Sequence, residues 1–427
     1  MDKVGIGLLG YGTVGSGVGK LLGESAEEIR LVTGKDVYLR RVLERDPDFR
    51  REGLDPALLT TSFDDIINDP EIDVVVELIG GVGAAFDFQK RALAAGKHVV
   101  TANKQLLSQQ GAALFDAAEA THTHLRFEAA VAGAVPVIKV LRESLAAAQV
   151  KTIMGIVNGT TNYILSAMTE TGARYEDVLK QAQALGFAEA DPTEDVMGKD
   201  AAAKMAILAS IGYHSRVTLS EVEHVGVTGI TATDIAHGKQ LGLVIKLLGV
   251  AKLIDGRMNV RVYPAFLPET HPLASVSGAY NAVFLESDSF DKIMLFGPGA
   301  GSIPTASAII GDIISVVNTV PQGFVQNCTC YKNLGFYPDA DVVSSFYLRV
   351  QVSDQPGVLA KLTTIFGEEE VSIRSVVQTG RGESAELVIV FHPVTEAKFK
   401  RALDRTTALP EVQGEPGVIR VEGVDEG

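Results

Sequence analysis

Apolar and small residues run without a break from Val4 to Leu9, then give way to the spacing Gly10-x-Gly12-x-x-Gly15 and a helical stretch to Gly19. That order predicts a buried strand, a tight turn and a helix start. Further apolar runs at Val37–Leu43, Val74–Leu78 and Lys97–Thr101 read as strands, with helical stretches between them. Strands alternating with helices predict a parallel sheet covered on both faces, so residues 1–130 should form a doubly wound α/β domain with ligands at the carboxyl ends of its strands. The third strand runs into Gly80-Gly81 and the fourth into Ala102-Asn103-Lys104, so both end in the crevice of the glycine turn.

The pattern changes at Val150. A strand to Val157 is followed by long Ala/Leu-rich helices through Gly212 and strand-like segments to about Val320, an α+β domain over residues 131–320 whose last segment, near 300–320, returns to the first domain. Residues 321–344 lack periodicity and carry Asn, Gly, Pro and Asp, which marks a linker. From 345 to 427 the order strand, helix, strand, strand, helix, strand predicts a ferredoxin-like module. Because the core domains end before the linker, this module is expected to be separable.

Length agrees with several domains, since 427 residues exceed one hydrophobic core. The formal charge of -15 and the lack of a Lys/Arg run argue against nucleic acid and anionic membranes as partners. No apolar stretch of about 20 residues and no leader is apparent, so a cytoplasmic protein is expected. Cys328 and Cys330 are too few for a disulfide framework, and their expected role is ordinary packing or surface exposure.

The candidate chemistry begins at the glycine turn. Gly10 permits the turn, Gly12 lets a pyrophosphate approach the backbone, and Gly15 brings the helix close to the sheet, while the helix N–H groups face the phosphates. None of the eight histidines lies near a nucleophile, so the lysines are the better proton carriers. Lys104 follows the fourth strand, where it can place positive charge on a reacting oxygen. Asp200 and Lys204 lie one helical turn apart on one face. Four carboxylates between Glu189 and Asp195 precede them, which suits a substrate carrying an ammonium group. Asn158-Gly159-Thr160-Thr161 ends a strand and opens a helix, presenting an amide, hydroxyls and N–H groups to a carboxylate.

Taken together, GLLGYGTVGSGV at 7–18, HVVTANK at 98–104, GIVNGTTNYIL at 155–165, LGFAEADPTEDVMGKDAAAKMAILA at 185–209 and GPGAG at 297–301 resemble the homoserine dehydrogenases. The chain from 345 resembles an ACT regulatory domain, with its DQPGVL turn at Asp354–Leu359. The resemblance implies a Rossmann-type first domain, an α+β catalytic and dimerisation domain, and a C-terminal ferredoxin-like ACT domain. It also implies reversible, nicotinamide-dependent interconversion of L-aspartate 4-semialdehyde and L-homoserine, on the route to threonine, isoleucine and methionine.

Carried over residue by residue, Lys204 is the principal acid/base group and Lys104 assists it. Glu189, Asp200, Asn158, Gly159, Thr160 and Asp195 hold the substrate. Gly10, Tyr11, Gly12, Thr13, Val14, Gly15, Arg45, Gly80, Thr101, Lys104 and Gly301 hold the cofactor. Glu44, Arg45 and Asp46 offer both an acidic and a basic residue after the second strand, and the arginine favours NADP, with NAD also accepted. The resemblance further implies a sodium ion on Glu128 and the carbonyls of Val131, Gly133 and Val135, a homodimer or homotetramer, and L-threonine as an effector near Asp354, Gly357 and Val358. Two competing readings are another ACT-bearing dehydrogenase, which needs an Arg/Glu/His set not visible here, and a non-catalytic sensor, which has no use for Lys104, Glu189, Asp200 and Lys204.

Overall fold

The computed structural model describes residues 3–326, 328–380 and 384–423. The chain divides into two compact units, one of Met1–Ile153, Asp200–Glu223 and Tyr280–Asn333, the other of Met154–Lys199, His224–Ala279 and Leu334–Gly427.

The first unit is built on six strands: β1 (Lys3–Leu9), β2 (Asp36–Leu43), β3 (Leu59–Thr60), β4 (Ile72–Glu77), β5 (His98–Thr101) and β6 (Leu125–Arg126). Their order is β3-β2-β1-β4-β5-β6, and every pairing is parallel. β1 is buried from Val4 to Leu9, as a central strand covered on both faces must be, which is why its sequence is apolar rather than alternating. The two edge strands β3 and β6 are only two residues long, too short to leave a periodic trace. The helix α1 (Thr13–Glu24) follows β1. The helix Ser302–Thr319 returns to pack on α1, its Ala306, Ile309, Ile313 and Val316 sharing a core with Ile6, Leu8 and Val18. Among the described residues this is one helix long and apolar enough to cross a membrane, at 18 residues and mean hydropathy 1.2, a feature that a search for runs of about 20 residues passes over. Its apolar face belongs to that core.

The helix Lys199–Tyr213 lies in the first unit from Asp200 onward, with twelve of its fifteen residues buried. A helix apolar on all sides is an interior helix, and its alanines permit close packing around it.

In the second unit the helices Gly159–Thr171 and Tyr175–Ala184 accompany a hairpin of Leu243–Ile254 and Arg257–Pro268, paired along its full length. The C-terminal module has the expected element order, with strands Val343–Ser353, Ile373–Thr379, Ser384–Phe391 and Val412–Val421 and helices Val358–Glu368 and Glu396–Thr407. It does not form a compact unit of its own. Its last strand extends the hairpin sheet, Ala265 pairing with Arg420 and Phe266 with Val421. Arg349 Nε donates to Asp234 Oδ1 at 2.6 Å, Arg261 Nη1 to Glu396 Oε1 at 2.7 Å, and Lys252 Nζ to Glu422 Oε2 at 2.9 Å. The segment expected as a linker is also tied down: Lys332 N donates to the His214 carbonyl at 2.7 Å in the first unit, and Tyr337 N to the Met258 carbonyl at 2.7 Å in the second.

Candidate active site

The glycine turn has the geometry its spacing requires. Gly10 has φ +92°, and a Cβ on Gly15 would stand 2.2 Å from the Gly10 carbonyl oxygen, so neither position accepts a side chain. A Cβ on Gly12 would meet nothing within 4 Å, leaving open space in front of α1, whose N-terminus has no side-chain cap. Gly12 and Thr13 are exposed, Val14 is half-buried, and Tyr11 is buried. Ser302 Oγ, just past Gly301, donates to the Thr13 carbonyl at 2.6 Å and fixes the return helix beside the turn. A cavity of about 810 Å³ opens there, lined by Tyr11, Ser16, Lys20, Arg51, Glu52 and Ser302 among others.

Two further side chains shape this corner. Glu44, at the end of β2, accepts the Tyr11 N–H, and Arg51 Nη1 donates to the Tyr11 carbonyl at 3.3 Å. Arg45 is exposed between them in sequence. A third is Glu77, fully buried at the end of β4, which accepts from Ile79 N, Gly80 N, Gln89 Nε2 and Thr101 Oγ1 at 2.6–3.0 Å. It locks the Gly80 loop to the end of β5. Thr101 is itself fully buried with its hydroxyl on Glu77, so its side chain supports the crevice and does not line it. The signal for Glu77 was a carboxylate closing the otherwise apolar strand segment VVVE.

Lys104 opens the helix Lys104–Ala120, capped by Asn103, whose Oδ1 accepts Leu106 N at 3.0 Å and whose Nδ2 donates to the Gly81 carbonyl at 2.7 Å. Its ammonium lies 3.0 Å from Asp200 Oδ1, and Lys204 Nζ lies 2.8 Å from Asp200 Oδ2. One buried carboxylate therefore bridges two lysines, one of them delivered by the parallel sheet. Asp200 and Lys204 are buried, while the Lys104 side chain is 36% exposed. Burial pushes His98 and His124 down to about 4, and His124 N donates to His98 Nδ1 at 3.0 Å.

In the second unit Asn158 caps the helix Gly159–Thr171. Its Oδ1 accepts Thr161 N at 2.8 Å and its Nδ2 donates to Asp195 Oδ1 at 2.6 Å. Thr160 Oγ1 donates to the Phe187 carbonyl at 2.7 Å, and a Cβ on Gly159 would stand 2.7 Å from the Ala279 carbonyl oxygen. The structure thus joins the NGTT segment to the acidic loop. Glu189 is exposed on that loop. Buried Lys246, not flagged on sequence, donates to the Val276 carbonyl at 2.5 Å and lies 3.4 Å from Asn162 Oδ1 on the same helix.

Back in the first unit, Glu128 is buried, with Oε1 accepting Ile138 N at 2.9 Å and Oε2 accepting Lys139 N at 2.8 Å. Burial, then the neighbouring Asp312 carboxylate, push it up to about 7. Gly133 turns in the left-handed region at φ +57°, pressed against the Gly299 backbone, and Val131 and Val135 are buried beside it in the chain. Among the described residues no three His, Cys, Asp or Glu side chains cluster as a metal site, so a cation here would rest on carbonyl oxygens and Glu128. In the C-terminal module Gly357, at φ +93°, precedes the helix Val358–Glu368. Asp354 and Gly357 are exposed and Val358 is buried.

Family models match three stretches: homoserine dehydrogenase over residues 136–314, the NAD binding domain of homoserine dehydrogenase over 10–128, and the ACT domain over 346–411. A homoserine dehydrogenase of Corynebacterium glutamicum is 44% identical across 99% of this chain and 96% of its own, and one of Bacillus subtilis is 41% identical across 99% of both. The crystal structure of a homoserine dehydrogenase from Thiobacillus denitrificans, 40% identical, superposes with a TM-score of 0.94 over 99% of each chain. A hyperthermophilic archaeal homoserine dehydrogenase mutant in complex with NADPH, 26% identical, matches 74% of this chain and 97% of its own with a TM-score of 0.63.

Proposed function

We infer how the site works from one premise: this chain belongs to the homoserine dehydrogenase family, and its activity is the nicotinamide-dependent interconversion of L-aspartate 4-semialdehyde and L-homoserine. The nicotinamide supplies or accepts the hydride. The observation that carries the assignment of roles is the carboxylate of Asp200 shared between Lys104 and Lys204. In the reducing direction Lys204 hands a proton to the oxygen of the former aldehyde, and Lys104 holds positive charge beside it. Asp200 has both oxygens on lysines, which supports a role in holding the two ammonium groups rather than in gripping substrate directly. Asn158, Gly159 and Thr160 offer donors to the substrate carboxylate, and Glu189 and Asp195 offer acceptors to its ammonium group.

The open space at Gly12 and the uncapped N-terminus of α1 suit a pyrophosphate. Gly10, Tyr11, Thr13, Val14, Gly15, Gly80 and Gly301 shape that cradle. Arg45 suits a 2′-phosphate and Glu44 ribose hydroxyls, so the enzyme uses NADP by preference and accepts NAD. Glu128 and the carbonyls of Val131, Gly133 and Val135 would hold a sodium ion, whose charge would relieve the repulsion between Glu128 and Asp312. L-Threonine acts as an effector at Asp354, Gly357 and Val358, and the chain works as a cytoplasmic homodimer or homotetramer.

Lys204→Ala tests the central role. Turnover falls by at least roughly 10²-fold while the affinity for the dinucleotide stays within a few-fold, measured by steady-state kinetics and fluorescence titration of the cofactor. Near-normal turnover sinks the assignment. Threonine titration of the full-length enzyme and of Asp354→Ala tests the effector site: indifference of the full-length enzyme to millimolar threonine removes it.

A further inference from the structure

The two cysteines, expected on sequence to be ordinary thiols, lie against the far end of the helix that carries Asp200 and Lys204. Cys330 Sγ donates to the carbonyl of Ser210 at 3.4 Å, and Cys330 N donates to Cys328 Sγ at 3.4 Å. Both are free thiols and both are partly accessible. The adjoining residues clamp the segment to the helix end: the Lys332 N–H reaches the His214 carbonyl at 2.7 Å, and the rings of His214 and Tyr331 stack at 5.2 Å. Ser210 follows Lys204 by six residues, about 9 Å along the helix axis.

We propose that Cys328 and Cys330 form an oxidation site for a small peroxide, Cys328 being the attacking sulfur and Cys330 the resolving one, and that its closure disturbs the helix bearing Asp200 and Lys204. In the first step the Cys328 thiolate attacks a peroxide oxygen, the O–O bond breaks, and with one proton a sulfenic acid and water result. In the second the Cys330 sulfur displaces that hydroxyl, forming the disulfide and a second water. Both electrons go to the peroxide. A ring closed across one intervening residue is strained, so the bond is readily reopened by a dithiol.

The surroundings assign the order of attack. The Cys330 side chain and N–H and the guanidinium groups of Arg216 and Arg142 favour the Cys328 thiolate, whereas that thiolate and burial push the Cys330 thiol up. Among the described residues, other charged or titratable groups around this cluster include Lys332 beside His214, Asp116 on Arg216, and Arg126 and Asp312 near Arg142. Disulfide closure takes the Cys330 hydrogen from the Ser210 carbonyl.

With its ionised form favoured, Cys328 should be alkylated faster at pH 7 than an ordinary exposed thiol. Full-length reduced enzyme is treated with hydrogen peroxide, then mapped by peptide mass and assayed. The expected result is an intrachain Cys328–Cys330 disulfide, turnover lowered severalfold, and recovery with dithiothreitol. Cys330→Ser should stop at a sulfenic acid trapped by dimedone, and Cys328→Ser should keep its remaining thiol. Survival of both thiols in tenfold excess peroxide, or oxidation of Cys330 at an unchanged rate in Cys328→Ser, overturns the site. Unchanged turnover of the disulfide form overturns its link to the helix. Iodoacetamide labelling of the native wild type across pH 5–9 needs no variant: a half-maximal rate at pH 8.5 or above for Cys328 also overturns the proposal.

Discussion

Replacing Asp200 separates two roles that the sequence left merged. Its oxygens stand 3.0 Å from Lys104 Nζ and 2.8 Å from Lys204 Nζ, and all three side chains belong to the first unit. In Asp200→Ala the Lys204 ammonium, on a side chain 11% exposed, loses its carboxylate, and breaking a buried pair this way costs about 3–5 kcal/mol. Lys104, at 36% exposure, turns towards water, so its part of the pair adds no more than about 1 kcal/mol. Without the carboxylate nothing there favours the charged form of the buried Lys204 over the neutral one, so the alkaline limb of the reducing reaction moves to lower pH. Turnover should fall by about 10²-fold, equivalent to about 3 kcal/mol in the barrier, with KM for homoserine within about threefold of wild type. Asp200→Asn, which preserves volume and one acceptor, should lose stability less and turnover nearly as much. Steady-state kinetics across pH 6–10 with urea unfolding of the same preparations decides the matter. A rise in KM with turnover preserved would show that Asp200 grips the substrate ammonium instead, and an unmoved pH limb would refute the electrostatic coupling.

Arg45→Ala should weaken NADP at least severalfold and leave NAD almost unchanged; equal losses, measured by titration with both cofactors, would show that this arginine is not the discriminator. Glu128, raised to about 7 from 4.5, contributes stability that is fully present below pH 4.5 and lost as pH rises through about 7, at most about 3 kcal/mol, because the folded state keeps a proton the unfolded state has released. If sodium holds the ionised form, melting at pH 8 should be higher in sodium chloride than in choline chloride and equal in both at pH 5, and a difference that persists in Glu128→Gln would place the ion elsewhere. Truncation at Asp341 should yield an aggregating chain by gel filtration, since it strips Val412–Val421 from Arg257–Pro268 and bares Phe266; a monodisperse, active fragment would contradict this.

What lies within a few residues was legible in the chain. The turn after β1 follows from Gly10 and Gly15, because a positive φ and a 2.2 Å approach are demands on single residues. The Asp200–Lys204 contact follows from one helical turn, and the Asn158 cap from a strand running into a helix. The element order of the C-terminal module was likewise readable, each strand and helix being long enough to show its period. Contacts between distant segments carry no such period, and only the tertiary structure decided them. It brought Lys104 to the second oxygen of Asp200, so that this carboxylate stands between two lysines. It set Glu77 under the Gly80 loop, Arg51 on the Tyr11 carbonyl, and the last strand against Arg257–Pro268, which made a module that looked detachable part of a common sheet. It also placed Cys330 on the Ser210 carbonyl. A side chain's type and its neighbours in sequence state what it can do, but its partners depend on how the whole chain closes its core, and that closure is a sum over all residues.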